Sequence, residues 1–269
     1  MMSRLLVRGG LVTLAVLTGL VLIAPVLVII PMSFSDSSFL EFPPTDWSFR
    51  WYENFFSDPS WRASTLSSLK IAVLVTITAV ILGTAAAFGL VRGRLRAKAA
   101  VAGLVIAPLI VPYVIVGLAV YAAALQVGLT QTTLGFVLVH TALGVPFVTV
   151  NVAASLASFD QRLEQAAMSL GASPLTTFLR VTLPIIAPGV AAGALFAFIT
   201  SWDEVVVSLF LSGPELTTLP VQMWSGVRVA IDPTVTAVSS LLLLFTITAF
   251  AALGVARLIR NRRLARSHR

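Results

Sequence analysis

The stretch Leu163-Glu164-Gln165-Ala166-Ala167-Met168-Ser169-Leu170-Gly171-Ala172-Ser173-Pro174, closed by Val181-Thr182-Leu183-Pro184, is a polar interlude between two strongly apolar runs. Leu156, Phe159, Leu163, Ala166, Ala167 and Leu170 recur at three- and four-residue steps, which predicts a helix from about Ser155 to Leu170 with one apolar stripe. Gly171 fits the left-handed position just past a helix end, where a residue without Cβ is least strained. Ser173-Pro174 reads as an N-cap with a first-turn proline. A second short helix should then carry Leu175, Phe178 and Leu179 on one face before Leu183-Pro184 ends it. The product is a helix-turn-helix hairpin between two membrane spans. An amphipathic loop resting on the bilayer or on its own bundle satisfies the same physics.

The runs on either side settle the class of protein. Hydrophobic residues make up 58% and charged residues 11% of the 269, with a mean hydropathy of +0.97. A soluble domain carries about a quarter of its residues as charges, so this is an all-α polytopic membrane protein. Six segments, at 11–32, 66–91, 100–124, 134–154, 185–211 and 234–258, are long enough to cross about 30 Å of hydrocarbon. Arg4 and Arg8 before the first segment also suit a signal peptide, but the run from Leu11 to Ile30 is too long for one and lacks a small-x-small cleavage site. The first segment is therefore read as a span.

Charge sets the orientation. With both termini in the cytoplasm, the inner side carries Arg4, Arg8, Arg92, Arg94, Arg96, Lys98, Arg162, Arg180 and the tail arginines from Arg257 to Arg269. Only Arg50, Arg62, Lys70 and Arg228 of the 18 basic residues fall outside, which is the positive-inside pattern. The domain plan is a cytoplasmic N-terminus (1–10), a six-helix transmembrane domain (11–258) with the outer loop 33–65 and the hairpin 155–184, and a basic cytoplasmic tail (259–269). The net charge of +7 is accounted for by basic residues that flank spans and meet anionic lipid headgroups, and it calls for no nucleic acid.

The longest outer loop, 33–65, is rich in aromatics, from Phe34 and Phe39 through Trp47 and Trp51 to Trp61. Pro43-Pro44 breaks any early helix there, whereas Phe49, Tyr52, Glu53 and Phe56 follow helical spacing. Interfacial anchoring and contact with a soluble partner both fit such a loop. Its five carboxylates, Asp36, Glu41, Asp46, Glu53 and Asp58, face only Arg50 and Arg62, a field that weakly attracts cations. Gly83, Ala85, Ala86, Ala87 and Gly89 in the second segment, and Gly189 with Gly193 in the fifth, mark close helix packing. Pro108, Pro112, Pro146 and Pro188 within or beside spans predict bends.

Several chemistries are excluded. The chain has no cysteine, hence no disulfide and no thiolate metal site. His140 and His268 lack a ligand cluster, and His140 reads as a hydrogen-bonded packing residue between helices. No Gly-Lys-Ser/Thr phosphate loop, His-Glu-x-x-His helix or Gly-x-Ser-x-Gly elbow occurs, so no catalytic residues and no nucleotide site are assigned to this chain.

One polar interruption demands a use. Ser201-Trp202-Asp203-Glu204 breaks the apolar fifth segment, and two carboxylates at membrane depth are costly unless they face a cavity, a counter-charge or a cation. Asp203 lies about 27 Å along a helix from Ile185, in the outer half of the span. Neighbouring helical residues diverge by about 100°, so the two carboxylates should do different jobs, either in a substrate path or in a structural contact.

The hairpin resembles the EAA loop of ATP-binding-cassette importer permeases, whose pattern is Glu-Ala-Ala, three residues, Gly, nine residues, Ile, one residue, Leu-Pro. Gln165-Ala166-Ala167, Gly171, Val181 and Leu183-Pro184 match that spacing. Gln165 stands where the family has glutamate and Val181 where it has isoleucine, with Glu164 one place earlier. The stretch from Ser201 to Pro214, then Thr218-Leu219-Pro220 and Ser225-Gly226-Val227-Arg228, is similar to the inner-membrane permeases of spermidine/putrescine importers.

That resemblance implies the type I importer permease fold (MetI-like), with a coupling helix that docks in a groove of a cytoplasmic ATPase. Leu163, Glu164, Gln165, Ala166, Ala167, Gly171, Leu183 and Pro184 then belong to ATPase coupling, and Trp202, Asp203 and Glu204 to the substrate path or gate. It further implies two ATPase subunits that bind ATP and Mg, a second homologous permease, an external substrate-binding protein, and a bacterial inner-membrane location. The cargo would be a small polar solute, foremost a polyamine, with other small solutes as the alternative. A gradient-driven secondary carrier would explain Asp203 and Glu204 but leaves the hairpin spacing without a reason. A non-transporting membrane anchor leaves the acidic interruption without one.

Overall fold

The computed structural model describes residues 2–94, 96–230 and 232–248, with the side chains of 2–9, 229 and 230 left aside. The chain divides into two compact units, Met1–Arg62 with Ser225–Arg269, and Ala63–Trp224. The described residues are mostly helical, and their sole β feature is an isolated antiparallel bridge between Ser35 and Trp47.

In the first unit, α1 (Met2–Met32) contains an apolar stretch from Gly10 to Met32 long enough to span a bilayer. The aromatic segment after it is tied together by Phe34, Phe49 and Tyr52, whose rings lie 5.2–6.1 Å apart, and by a 2.7 Å hydrogen bond between Ser33 Oγ and Tyr52 OH. The helical spacing at Phe49–Phe56 is realised as α2 (Arg50–Ser57). Asn54 of α2 donates to Thr234 Oγ1 at 2.8 Å, at the start of the apolar α12 (Thr234–Thr248). The remainder of the sixth expected span, the tail 259–269 and His268 lie outside the described residues.

The second unit holds the long spans. α3 (Pro59–Arg92) runs through it from Ala63 onward, joined by α6 (Thr133–Ala157) and α9 (Leu183–Trp202). Small residues let these helices touch. A Cβ on Gly193 would sit 2.7 Å from Val148 Cα, and one on Gly83 would sit 2.6 Å from Val148 Cβ, so Val148 of α6 is held between two glycines. Ala87 is fully buried, but Gly89 and Ala85 stand away from this seam. Val152, Leu156, Phe159 and Ile186 complete one core cluster, while Ile71, Val75, Phe136, Leu143, Val207 and Leu211 form another. The short α11 (Leu219–Ser225) starts against α3, where the Leu219 N–H donates to Ser68 Oγ at 2.7 Å. Close approach replaces the solvent-driven burial that lipid cannot supply.

The expected third span is not one straight helix. α4 (Lys98–Ile110) and α5 (Tyr113–Gln126) meet at 102° across Val111-Pro112. Pro112 has no N–H to continue the ladder and drives Val111 to an extended conformation, φ −73° and ψ 131°, which ends α4. The fifth span also differs from expectation. α9 stops at Trp202, and a separate short helix, α10 (Val206–Leu211), follows after a break at Asp203–Val205. Among the described residues, four helices are long and apolar enough to cross a membrane, or five if the bent pair counts as one.

Candidate functional site: a tethered hairpin and a broken span

The hairpin forms in a more segmented way than its apolar periodicity suggests. α6 ends at Ala157, Ser158 caps it, and α7 begins only at Arg162, so no single helix covers 155–170. Leu156 and Phe159 are buried in the core, whereas Leu163 and Leu170 are 46% and 89% exposed. The stripe has two destinations: its first residues complete the bundle, and its last face outward. That division is why the helix breaks between them, since one straight axis cannot serve both.

The turn chemistry follows the sequence. α7 (Arg162–Ser169) ends before Gly171, which takes φ +88°. Ser173 caps the next helix by accepting from the Thr176 N–H at 3.2 Å, with Pro174 in the first turn of α8 (Pro174–Thr177). Leu183-Pro184 does not end the second arm, however. A π-helical segment, Phe178–Thr182, carries the chain directly into α9, with the Leu183 N–H reaching back five residues to Phe178 C=O. Pro184 offers no N–H and its ring crowds the carbonyl four residues earlier; a widened turn relieves both problems without breaking the axis.

Glu164 is the polar anchor of α7. Arg92, the last residue of α3, donates from Nη1 to both Glu164 carboxylate oxygens at 2.7 Å, and the Thr182 hydroxyl donates to Oε1. The Arg92 guanidinium also lies 5.0 Å from the Phe88 ring centroid and 5.1 Å from that of Phe159. Burial alone would push the Glu164 carboxyl up, but the Arg92 and Thr182 hydrogen bonds and the Arg92 charge outweigh it and hold it below its ordinary value. Gln165 and Ala166 are exposed, Ala167 is half-buried, and Pro184 is exposed. Leu163, Met168, Leu170, Leu175 and Leu179 are exposed on the hairpin, interspersed with exposed Arg162, Gln165, Ser169 and Arg180.

At the other end of α9, the acidic pair is split. Glu204 is buried, and its two carboxylate oxygens accept from the Val207 N–H at 3.0 Å and the Ser208 N–H at 2.8 Å, capping α10. Asp203 terminates α9 and is exposed. Trp202, half-buried, stacks on Phe198 with ring centroids 5.9 Å apart and planes 11° apart. The break itself is pinned by His140, which is 1% exposed and bridges Ser201 Oγ (3.0 Å) and Ser208 Oγ (3.2 Å) from its two ring nitrogens. An imidazole with two hydroxyl neighbours has both nitrogens satisfied, which is a packing arrangement. α10 is further seated by Phe210, whose ring occupies the space that a Cβ on Gly117 of α5 would need.

Arg92, Thr182 and Ser208 are parts of these sites that the sequence does not single out, and Ser201 belongs to the polar interruption without its bond to His140 being readable there. By its position alone Arg92 is one inside charge among many. A polar residue at the end of the π segment and two serines seven positions apart are the only signals of the rest.

The chain thus joins close-packed apolar helices to a partly exposed hairpin between two spans, and its relatives give that arrangement a class. This chain belongs to the family described as binding-protein-dependent transport system inner membrane component, which matches residues 79–264. It is therefore an inner-membrane permease component of a transporter. It is 38% identical over 229 residues to the putrescine transport system permease protein PotI of Escherichia coli (strain K12), covering 82% of this chain and 81% of that protein. It is 32% identical over 250 residues to the spermidine/putrescine transport system permease protein PotC of the same strain, covering 92% of both. A solved bacterial ABC transporter involved in the import of the acidic polysaccharide alginate shares the fold, with a TM-score of 0.71 over 94% of this chain and 96% of that one, at 17% identity.

Proposed function

We propose that this chain is one of two permease subunits of an ATP-driven polyamine importer. Its hairpin, 155–184, docks on a cytoplasmic ATPase that binds ATP and Mg, and a second permease completes the path. An external binding protein delivers the cargo. Both termini face the cytoplasm, and six spans form the membrane domain, with the bent pair as the third and α12 as the start of the sixth.

The observation that carries this reading is the set of large apolar side chains, Leu163, Met168, Leu170, Leu175 and Leu179, left exposed among polar residues on a hairpin between spans, a mixed surface that a soluble partner can cover. Likeness to two polyamine permeases over more than four fifths of the chain supports the cargo. Asp203 supports it too: an exposed carboxylate at the C-terminal end of α9 adds to the negative end of the helix dipole, a favourable setting for an ammonium group. The Trp202–Phe198 stack beside it offers an aromatic face to the same charge.

The test is association. Leu170→Asp places a charge in the proposed contact, and the ATPase should then no longer co-purify while the permease pair stays intact. Unchanged co-purification would refute docking through this face.

A further inference from the structure

The contacts of α7 point to a role for Glu164 other than touching the ATPase. Among α7 residues none is buried, and only Glu164 and Ala167 are even half-buried. The backbone joins α7 to its neighbours through the non-helical Ser158–Gln161 linker on one side and the Gly171 turn on the other. Both connections are short turns with hydrogen bonds of their own, Arg162 N–H to Asp160 Oδ1 at 2.9 Å and Gly171 N–H to Met168 C=O at 3.0 Å, and the side chains of α7 add a grip on more distant elements.

Glu164 grips two separate spans at once. Through Arg92 it holds the end of α3, and through Thr182 it holds the last residue of the π segment that leads into α9. The far sides of this junction are closely packed. Arg92 is flanked by the Phe88 and Phe159 rings, Phe88 packs edge-on against Phe178 at 5.7 Å, and Thr182 is fully buried. Charge-assisted hydrogen bonds fix direction as well as distance, which apolar contact does not.

We infer that Arg92, Glu164 and Thr182 form an internal strut that passes displacement of α7 to α3 and α9 together, as positioning residues for transport. This rests on the proposal that α7 is the ATPase-facing helix. If the strut is severed, the ATPase still docks and still hydrolyses ATP, but less of the displacement of α7 reaches α3 and α9.

The experiment uses the complete complex, with ATPase, partner permease and binding protein, in proteoliposomes. Because the chain has no cysteine, Leu170→Cys provides a single crosslinking point to the ATPase. Arg92→Met, Glu164→Gln and their double combination are compared in that background, reading crosslink yield, ATP hydrolysis and putrescine taken up per ATP. The strut predicts a retained crosslink, continued hydrolysis and a loss of about fivefold or more in uptake per ATP in each single variant. The double variant should lose no more than either single, because one connection is broken in all three. Thr182→Val, which keeps the side-chain shape, should lose uptake per ATP in the same direction and decides the question if the charge variants fail to assemble. A retained crosslink with unchanged uptake per ATP, or losses that multiply in the double variant, overturns the strut alone. Absence of a crosslink in the parent overturns the docking proposal and the strut with it.

Discussion

Arg92 meets both carboxylate oxygens of Glu164 from a single nitrogen, at 2.7 Å each, across 72 positions of sequence. The pair joins the end of a membrane span to a helix none of whose residues is buried. Its pH dependence has a definite sign. The Glu164 carboxyl lies below its ordinary value, so the tie contributes fully above the unfolded carboxylate value and is lost as pH falls through the depressed folded one. Wild type and Glu164→Gln should therefore differ in thermal stability by a constant amount at pH above the ordinary carboxylate value, and the difference should shrink as pH falls from there through the depressed folded value. Hydrogen bonds to a charged group are worth about 1.5–3 kcal/mol, and partial exposure places this pair at the low end. Melting curves of the solubilised permease across that range check it.

Gly171 holds φ +88° with open space around its Cα, so only the backbone objects to a side chain there. Gly171→Val should cost about 1–2 kcal/mol in the turn and redirect α7 relative to α8. Reduced co-purification of the ATPase, with normal amounts of permease in the membrane, is the expected result.

Gly193 and Gly89 form a matched pair of tests for the packing seam. Gly193→Ala brings a methyl to 2.7 Å from a backbone atom of α6, where no rotamer change gives relief, whereas nothing lies within 4 Å of a Cβ at Gly89. The first should destabilise by about 1–3 kcal/mol and the second should be close to neutral. Thermal unfolding in detergent distinguishes them.

The two carboxylates at the α9 break should fail in different assays. Glu204→Gln gives up one of two acceptors for buried backbone N–H groups, so about 1–3 kcal/mol of stability and a corresponding share of assembled complex should go. Asp203→Asn leaves no buried donor unpaired, so assembly should hold while polyamine uptake per assembled complex declines. Normal uptake per complex in Asp203→Asn would remove that residue from the path.

Local chemistry with a single solution was readable in the sequence. Gly171, Ser173-Pro174, α2 and the Gly189/Gly193 seam follow from backbone sterics and capping, which act within a few residues. The misses share one cause. Periodicity at Leu156–Leu170 shows that residues are apolar at helical spacing, not that they serve the same neighbour, and the helix broke where the neighbour changed. Length and hydropathy likewise merged α4 with α5 and α9 with α10, because a run of apolar residues carries no record of direction. Pro112 and Asp203-Glu204 were the local marks of those breaks. His140 was legible as a hydrogen-bonded packing residue, but its partners Ser201 and Ser208 and the Arg92–Glu164–Thr182 cluster were not, since each pairing joins residues far apart in the chain.

The most direct measurement is uptake of radiolabelled putrescine into proteoliposomes that contain this chain with its partner permease, ATPase and binding protein, with ATP either supplied to the ATPase side or withheld. The account predicts accumulation that requires ATP, requires the binding protein, and is competed by spermidine but not by neutral or acidic solutes. Accumulation driven by an imposed ion gradient without ATP, or ATP-driven accumulation that polyamines do not compete for, would contradict it.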